Sequence, residues 1–469
     1  MVLLILVIYQ LFLEIVTLQN FLKKSPENKT PKPKPQNKKN VKVEDLFDMG
    51  TGGSDWNVKH HMDSDMNVAA LGGKAEDSWI ISFVNDIFLE AMRKQASDIH
   101  IEPRDKNMMI RLRIDGNFIN YKAVELNDKD AIIARIKILS YLRIDEHRLP
   151  QDGKINFKLF WGKTVDMRVS IIPTIYGEKC VIRILKKDSK PPELKDLWIL
   201  PYNMVKIKKH LNDSYGMILA VGPTGSGKST SLFSLLSQFD PEQQNISTLE
   251  DPVEYRIPWV NHTQINPAIK FTFASWLRSL LRQDPDIIMV GEIRDDETAR
   301  LAIEASITGH IVFSTLHTNS ASHTIQRLVN LGVDPLLISS SLRMIISQRL
   351  ARKLCPKCKV GYKANEKITQ QIVGTVWKYM KKKEDLTLYS AKPQGCPHCN
   401  HTGYKWRIWL YEVLEMTDKL EELMLKNASR LQLEIQAVWD GMVPIKEDGM
   451  LKVVMWETSL EELLSVLGT

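Results

Sequence analysis

The stretch MILAVGPTGSGKST, at residues 217–230, joins an apolar run to a loop rich in glycine, hydroxyl groups and one lysine. Glycines at this spacing let the backbone wrap an anion with its N–H groups, and a helix that starts here points the positive end of its dipole at the same place. Lys228 would reach the β- and γ-phosphates of ATP, and the hydroxyl of Ser229 would hold Mg²⁺. The predicted phosphate-binding residues are Gly222, Pro223, Thr224, Gly225, Ser226, Gly227, Lys228, Ser229 and Thr230.

Acidic residues and histidines at the ends of other apolar runs could complete this chemistry. Glu292 ends DIIMVGE, where a carboxylate can polarise the water that attacks a phosphate, although a solvated glutamate at a strand end is the other interpretation. Glu250 and Asp251 end NISTLED and could orient the metal or the water. His310 and His317 bracket one apolar run, where they could sense the γ-phosphate or be structural histidines.

Four of the five cysteines form two Cys-x-x-Cys pairs, CPKC at residues 355–358 and CPHC at residues 396–399. Two such pairs can give a tetrahedral site of four sulfur ligands, which is closed and therefore structural. We predict a Zn²⁺ ion that holds an inserted subdomain over about residues 353–405. Cys180 lies alone in another apolar run and is predicted to be a core residue. The predicted zinc ligands are Cys355, Cys358, Cys396 and Cys399.

These groups need a scaffold, and the apolar runs around them alternate between strand-like and helix-like patterns. MILAVG, NISTLED, DIIMVGE and HIVFSTLH are typical of buried strands, and helical patterns lie between them. The alternation predicts an α/β fold with a parallel sheet covered on both faces, in a P-loop domain over residues 188–469 that ends in helices. Before it, short alternating strands and two helices predict a small α+β domain over residues 73–187.

Residues 1–72 differ in composition from the rest of the chain. The apolar run MVLLILVIYQLFLEIVTLQNFL is followed by a stretch rich in lysine, proline and asparagine, which is typical of a flexible linker. The apolar run could anchor the chain in a membrane with the lysines on the cytoplasmic side, or pack on a partner helix, or reflect a misassigned start. Much of the net charge of +7 lies in the linker, so the folded body is near neutral and no nucleic-acid partner is expected.

Several stretches together resemble the ATPases of type II secretion and type IV pilus assembly. SDIHIEP, RLRIDG, RLPQDGK and DMRVSIIPTIYGEK look like signatures of the family's N-terminal domain. GPTGSGKST, STLEDPVEY, MVGEIRDDETA and TGHIVFSTLHTN look like its Walker A, aspartate, Walker B and histidine boxes, in this order along the chain. The cysteine module favours the extension and secretion motors of the family, because the retraction motors generally lack it.

The resemblance implies a RecA-like P-loop domain in a homohexamer that lies at the cytoplasmic face of the inner membrane. Such a hexamer hydrolyses ATP with Mg²⁺ and drives the polymerisation of pilins or pseudopilins through a membrane platform protein. The family uses arginines of the small domain on the nucleotide of the next subunit, and Arg113 and then Arg135 are the candidates here. Residues 1–72 are shorter and more polar than the family's usual docking domain, which leaves the contact with the platform open.

Two other function classes are compatible with a P-loop. One is a nucleic-acid translocase or helicase on a related RecA-like core, which the near-neutral body disfavours. The other is a scaffold that binds nucleotide without hydrolysing it. The intact Lys228, Ser229 and Glu292 argue against such a scaffold.

The chain has 11 tryptophans, and several occupy positions where the motifs of the resembled family have glycine, such as both tryptophans of GYKWRIWLYEV. Glycine is often placed where φ is positive or where backbones touch, so repeated exchange for tryptophan is not expected from drift. We hypothesise that UGA codons encode these positions and that the source cell reads them as glycine. UGA means glycine in some bacterial lineages and tryptophan in others. A functional aromatic surface and genuine substitutions are the alternatives. The positions are Trp161, Trp198, Trp259, Trp276, Trp406, Trp409 and Trp456.

Overall fold

The computed structural model describes residues 75–159, 164–185, 190–266, 269, 271–379 and 386–468. The predicted apolar segment and linker at residues 1–72 and the hypothesis for Trp161 lie outside the described residues. No described helix combines the length and the apolar character that crossing a membrane requires.

The first part of the described chain folds as a six-stranded antiparallel sheet with two helices, in the strand order β3-β2-β1-β6-β5-β4. Its core includes Phe88 of α1, Ile99 of β1 and Ile136 of α2, which are all fully buried. The alternating burial of β2 follows its alternating sequence, whereas β3 has a largely solvent-exposed pattern and was not predicted. The elements are α1 (Ala75–Arg93), β1 (Asp98–Pro103), β2 (Met108–Ile114), β3 (Asn117–Val124), α2 (Lys129–Leu139), β4 (Gln151–Lys158), β5 (Thr164–Thr174) and β6 (Gly177–Leu185).

The second part folds around a seven-stranded sheet in the order β15-β12-β7-β11-β10-β8-β9. Strands β7, β8, β10 and β11 are buried at every residue, because helices cover both faces of the sheet. The elements are α3 (Pro201–Leu211), β7 (Gly216–Val221), α4 (Lys228–Leu236), β8 (Ile246–Glu250), β9 (Asn261–Gln264), α5 (Phe273–Leu280), β10 (Ile287–Val290), α6 (Asp296–Ile307), β11 (Ile311–Leu316), α7 (Ala321–Asn330), α8 (Pro335–Ser341), β12 (Leu342–Leu354) and β15 (Tyr404–Glu415).

The prediction of a purely parallel sheet is wrong at one edge. β12 is parallel to β7, but β15 is antiparallel to β12, so the sheet is mixed. The reason is local: β12 leads into the cysteine-containing insert and β15 leads out of it, and two strands that bracket a compact insert pair as a hairpin does. β12 therefore leads from the sheet to the insert, and β15 leads from the insert back into the sheet.

The described part of the insert contains a two-stranded antiparallel sheet and one α-helix, and four described α-helices follow β15. These elements are β13 (Val360–Lys363), α9 (Glu366–Val376), β14 (Thr387–Ser390), α10 (Asp418–Leu425), α11 (Arg430–Trp439), α12 (Ile445–Val454) and α13 (Leu460–Leu467). The predicted α/β class, with a small α+β part before the P-loop part, is thus confirmed. The exact domain limits at residues 73–187 and 188–469 remain predictions, since the chain from Gly72 to Thr469 forms one compact unit.

Candidate nucleotide site and zinc centre

The phosphate loop lies between β7 and α4, at the edge of the sheet where the parallel strands end. Gly225 has a φ of 78°, and a methyl group there would meet nothing within 4 Å, so its backbone faces open space. A methyl group on Gly222 would lie 2.5 Å from the carbonyl oxygen of Gln348, so only glycine fits against β12. The buried Oγ of Ser226 has no hydrogen-bond partner. This concave, polar loop fits the phosphates of a nucleotide.

Lys228 is the first residue of α4, and its side chain bends back over the loop. Its Nζ donates hydrogen bonds to the carbonyl oxygens of Gly222, at 2.9 Å, and Pro223, at 3.2 Å. Burial lowers the pKa of Lys228 to about 8, the positive charge of Arg349 adds to this, and the carboxylate of Glu292 opposes it. At neutral pH the ammonium therefore remains protonated and available to a phosphate oxygen.

Glu292 follows β10 and comes together with His317, which follows β11 on the neighbouring strand. The Nε2 of His317 lies 3.5 Å from the Oε2 of Glu292, and Arg294 forms an ion pair with the same carboxylate. Asp251 lies 3.7 Å from Arg294 on the other side. Burial and the charge of Lys228 lower the pKa of His317, which favours its neutral form. Three predicted site residues thus meet around one arginine next to the phosphate loop.

Glu250 points inward and holds the loop that follows β8. Its carboxylate accepts a hydrogen bond from Oγ1 of Thr248, at 2.7 Å, and from the amide of Glu254, at 3.3 Å. The Nδ1 of His262 lies 2.9 Å from the same carboxylate. With these partners in the buried interior, Glu250 positions the loop.

Glu254 belongs to the same acidic STLEDPVEY stretch as Glu250 and Asp251, which were preferred to it as site residues, and it approaches the predicted magnesium ligand. Its carboxylate accepts a hydrogen bond from the side chain of Ser229. Although Glu254 is exposed, desolvation by the surrounding protein raises the pKa of its carboxylate, and the hydrogen bond from Ser229 opposes this rise. The hydroxyl and this carboxylate are the hard oxygen donors that Mg²⁺ prefers, so they fit the ion.

His310 does not join the site. It precedes β11, and its Nδ1 lies 2.8 Å from the carbonyl oxygen of Ala305. The phosphate loop lies at the opposite edge of the sheet, roughly 20 Å away for a strand of this length. This distance does not allow His310 to contact the nucleotide of its own chain, in contrast to His317.

The arginines of the first sheet divide into two groups. Arg113 lies 3.6 Å from Asp98 and stacks on the ring of Phe118. Arg135 is partly buried in α2, and burial lowers its pKa. In the part of the chain that the structure describes, the ion pair and the ring contact hold the Arg113 side chain on its own sheet, whereas the buried Nε of Arg135 has no hydrogen-bond partner.

Arg168 of β5 and Arg183 of β6 form the second group, and they lie directly opposite each other in the sheet. Arg183 also donates from Nε to Oδ1 of Asp98 at 3.0 Å. The positive charges of both arginines lower the pKa of Glu254 and so oppose the effect of desolvation. This places them near the phosphate loop of the same chain. The alternation of side chains along β5 and β6 places these two arginines on one face of the sheet. The sequence alone does not show what that face packs against.

The four predicted zinc ligands come together at the ends of β12 and β15, with all four sulfur atoms within 4.8 Å of one another. The Sγ–Sγ distances are 3.8 Å for Cys355–Cys396, 3.8 Å for Cys358–Cys399 and 3.7 Å for Cys396–Cys399. A tetrahedral ion with Zn–S bonds of about 2.3 Å requires sulfur atoms about 3.8 Å apart. The set therefore fits Zn²⁺, and the distances are too long for a disulfide.

Backbone amides support the same centre from outside. The amides of Cys396 and Gly403 each donate to the Sγ of Cys399 at 3.2 Å. Burial raises the pKa of this thiol, but the two amide donors and the neighbouring cysteines outweigh it and lower the pKa to about 6. Such donors stabilise the thiolate that a metal needs. Cys180 is fully buried in the first sheet, away from this centre, as predicted.

Comparisons with known proteins agree with this geometry. The family model of the type II/IV secretion system proteins matches residues 73–465. The chain belongs to this family. It is 42% identical over 398 residues to the type IV pilus assembly ATPase PilB of Myxococcus xanthus, a match that covers 85% of this chain and 69% of PilB. It is 43% identical over 393 residues to the type II secretion system ATPase E of Vibrio cholerae, covering 83% of this chain and 76% of the relative.

Solved structures share the fold. The ATPase DotB of Legionella pneumophila superposes with a TM-score of 0.60 at 21% identity, over 83% of this chain and 96% of DotB. The pilus retraction motor PilT, solved with bound ADP, superposes with a TM-score of 0.52 at 25% identity, over 81% of this chain and 96% of PilT. The predicted family, RecA-like fold and ATPase activity are thereby confirmed.

Proposed function

We propose that this ATPase is the hexameric extension motor of a type IV pilus or the motor of a type II secretion system. The observation that carries the proposal is the convergence of Lys228, Ser229, Glu292 and His317 at one edge of the sheet. In this reading, Lys228 binds the β- and γ-phosphates of ATP. Ser229, together with Glu254, holds Mg²⁺, which neutralises charge on the phosphate oxygens when it is bound.

We assign to Glu292 the role of activating the attacking water. Its carboxylate accepts a proton from the water as the water oxygen bonds to the γ-phosphorus, the bond from that phosphorus to the β–γ bridging oxygen breaks, and ADP leaves with its electron pair. His317 and Arg294 hold the carboxylate in place. The neutral His317 contacts the Glu292 carboxylate, so the presence or loss of the γ-phosphate can reach His317 through that carboxylate. In this arrangement the phosphate loop binds the nucleotide, and Glu292 acts in its hydrolysis.

The substitution Glu292→Gln tests this assignment. The amide keeps the size of the side chain but cannot take the proton, so we expect ATP turnover to fall by at least about a hundredfold with little change in ATP affinity. Turnover is measured by phosphate release and affinity by equilibrium binding. Glu304→Gln, on the exposed face of α6, is the matched control and should retain full turnover. Unchanged turnover in Glu292→Gln would refute the role.

The second part of the proposal concerns four arginines around the nucleotide. Two of them act in trans, which requires the hexamer. We place Arg168 and Arg183 in the nucleotide site of their own chain, and Arg113 and Arg135 at the nucleotide of a neighbouring subunit. The near approach of the first pair to Glu254 supports the former. The latter rests on the resemblance of RLRIDG to the family signature.

Mixing two inactive variants distinguishes these roles. Subunits with Glu292→Gln keep all their arginines, and subunits with Arg113→Ala keep an intact Glu292. If Arg113 acts in trans, mixed hexamers contain complete sites and regain part of the turnover, whereas an arginine that acts in cis gives no recovery. The same mixture is made with Arg135→Ala, Arg168→Ala and Arg183→Ala. Sedimentation with a non-hydrolysed ATP analogue checks that the mixture is hexameric, and a monomer under all conditions would contradict the proposed motor.

We further propose that the hexamer works at the cytoplasmic face of the inner membrane, on a platform protein, and acts on pilins or pseudopilins only through that platform. The names of the relatives support both kinds of machine equally, at 42% and 43% identity. The gene neighbourhood separates them: pilin genes indicate a pilus, and an outer-membrane secretin with pseudopilins indicates secretion.

A further inference from the structure

Four described tryptophans have a left-handed backbone, with φ of 58° at Trp198, 66° at Trp259, 66° at Trp406 and 65° at Trp456. Only a few per cent of non-glycine residues have positive φ, and for a bulky side chain it is a genuine outlier. All four are among the positions that the motif comparison assigns to glycine. We propose that these positions, together with Trp276 and Trp409, are glycine in the protein as its source cell makes it.

Trp456 occupies the position that ends a helix in the Schellman motif. Its amide donates to the carbonyl of Val453, and the next amide donates to the carbonyl of Lys452. The same pair of hydrogen bonds ends α7 at Gly332 and α11 at Gly441, both with positive φ. Glycine is the usual residue here because it has no Cβ to clash in this conformation. Among the described α-helices, glycine occupies this position twice, and Gln95, Tyr141, Asn427 and Trp456 occupy it once each, so tryptophan is the largest residue in the motif.

Trp259 is the third residue of a turn closed by a hydrogen bond from the amide of Val260 to the carbonyl of Ile257, at 3.3 Å. Pro258 is the second residue, and Trp259 has the positive φ. Proline followed by a residue of positive φ is the pattern of a type II turn, whose third position favours glycine. The Trp259 side chain is 75% exposed, so packing does not explain the choice of residue.

Trp406 lies where β15 gains one residue relative to β12. Tyr404 pairs with Leu354 and Arg407 pairs with Arg352, so two residues of β15 stand opposite Lys353. A bulge of this kind with a left-handed residue is typically made by glycine. Trp198 similarly has left-handed backbone at the end of a short 3₁₀ helix, Leu194–Leu197.

Trp276 and Trp409 have ordinary φ, but each has a buried indole N–H without a hydrogen-bond partner. An unpaired buried donor is expensive, and tryptophan usually finds a partner when it is buried. Trp409 also crowds the nucleotide site, because a methyl group on Gly227 would lie only 2.5 Å from its Nε1. Glycine at position 409 would remove the unpaired donor and open the space beside the phosphate loop.

Two other tryptophans act as an internal comparison. Trp79 and Trp439 lie within α1 and α11, so both have helical backbone, and the motif comparison does not assign glycine to them. The misfits thus follow the predicted positions and not tryptophan in general. A single cause accounts for this pattern. These positions have UGA codons, which the source cell reads as glycine and another genetic code reads as tryptophan.

Peptide mass spectrometry of the native protein, purified from its source cell, tests the proposal directly. Peptides that contain positions 198, 259, 276, 406, 409 and 456 should each have the mass of the glycine form. The gene should have UGA at the same six positions. Tryptophan in any of these native peptides, or a UGG codon at that position, overturns the proposal for that residue, and tryptophan at all six overturns it entirely.

A pair of recombinant variants tests the physical argument separately. Trp259→Gly removes the positive-φ strain from an exposed turn, so the midpoint of thermal unfolding should rise. Trp439→Gly makes the same exchange at a side chain that is 81% exposed but lies in a helix, so the midpoint should fall. A fall for both variants would overturn the argument from backbone strain.

Discussion

At the scale of single residues, Lys228 is the group on which nucleotide binding depends most. Its Nζ donates to two carbonyl oxygens of its own loop, and phosphate oxygens must replace these acceptors or share the ammonium with them. Burial makes the charged form less stable than in water, and an anionic ligand reverses this effect. Binding of ATP and protonation of Lys228 are therefore linked.

This linkage predicts how the affinity for ATP changes with pH. The free protein loses the Lys228 proton as the pH rises through about 8, whereas the complex holds the proton to higher pH because phosphate charge raises the pKa. The affinity should thus be constant below pH 8 and fall by up to about tenfold per pH unit above it. Equilibrium binding of a non-hydrolysed ATP analogue to the unmodified protein measures this without turnover and keeps the Glu292 charge that acts on Lys228. A constant affinity between about pH 7 and about pH 10 would contradict it.

At the scale of elements, strand β12 connects the phosphate loop to the zinc centre. Gln348 donates from Nε2 to the carbonyl of Ser226 at 2.9 Å, and Cys355 follows the last residue of the same strand. β15 runs back from the centre and brings position 409, which we propose to be glycine, next to Gly227. The phosphate loop is thus supported from one side by the two strands that bracket the insert.

The substitution Gln348→Ala tests this support. It leaves the buried carbonyl of Ser226 without its donor, which costs about 1–3 kcal/mol and loosens the loop. We expect the affinity for ATP to fall by about tenfold while the fold is kept. Gln326→Ala on α7, which removes a weaker hydrogen bond to Ala428 far from the loop, is the control and should bind ATP normally. Equal affinity in the two variants would show that Gln348 does not support the loop.

The sequence predicted elements unevenly, and the reason is physical. β7, β8, β10 and β11 are short apolar runs buried on both faces, so composition alone reveals them. β12 and β15 pair across the whole insert, and no local pattern fixes a pairing at that separation. The site followed the same rule: Lys228 and Ser229 lie in a contiguous motif, whereas the contact between Glu254 and Ser229 depends on how two loops meet.

At the scale of the whole molecule, charges of the first sheet act on a carboxylate of the second part of the chain. Arg168 and Arg183 belong to the first sheet, yet their charges act on Glu254 beside the phosphate loop of the second. A change of charge at the nucleotide is therefore expected to change this electrostatic interaction between the two sheets. The approach of the sheets is set by tertiary packing, so motif spacing could not predict these two arginines.

The centre of four cysteines, which fits Zn²⁺, is the other place where distant segments are joined, and its disruption gives the last prediction. Cys396→Ser, or a strong chelator, should release one zinc ion per chain and free the ends of β12 and β15. We expect a lower midpoint of thermal unfolding and weaker ATP binding, because Gln348 and the residues opposite it then lose their anchor. Cys180→Ala removes a buried cysteine outside the centre, so it should lower stability but keep both zinc and ATP affinity. Zinc content by atomic spectroscopy and ATP affinity are measured on both variants. If the zinc-free chain binds ATP as tightly as the zinc-bound chain, the insert is only a local staple and β12 does not transmit its order to the phosphate loop.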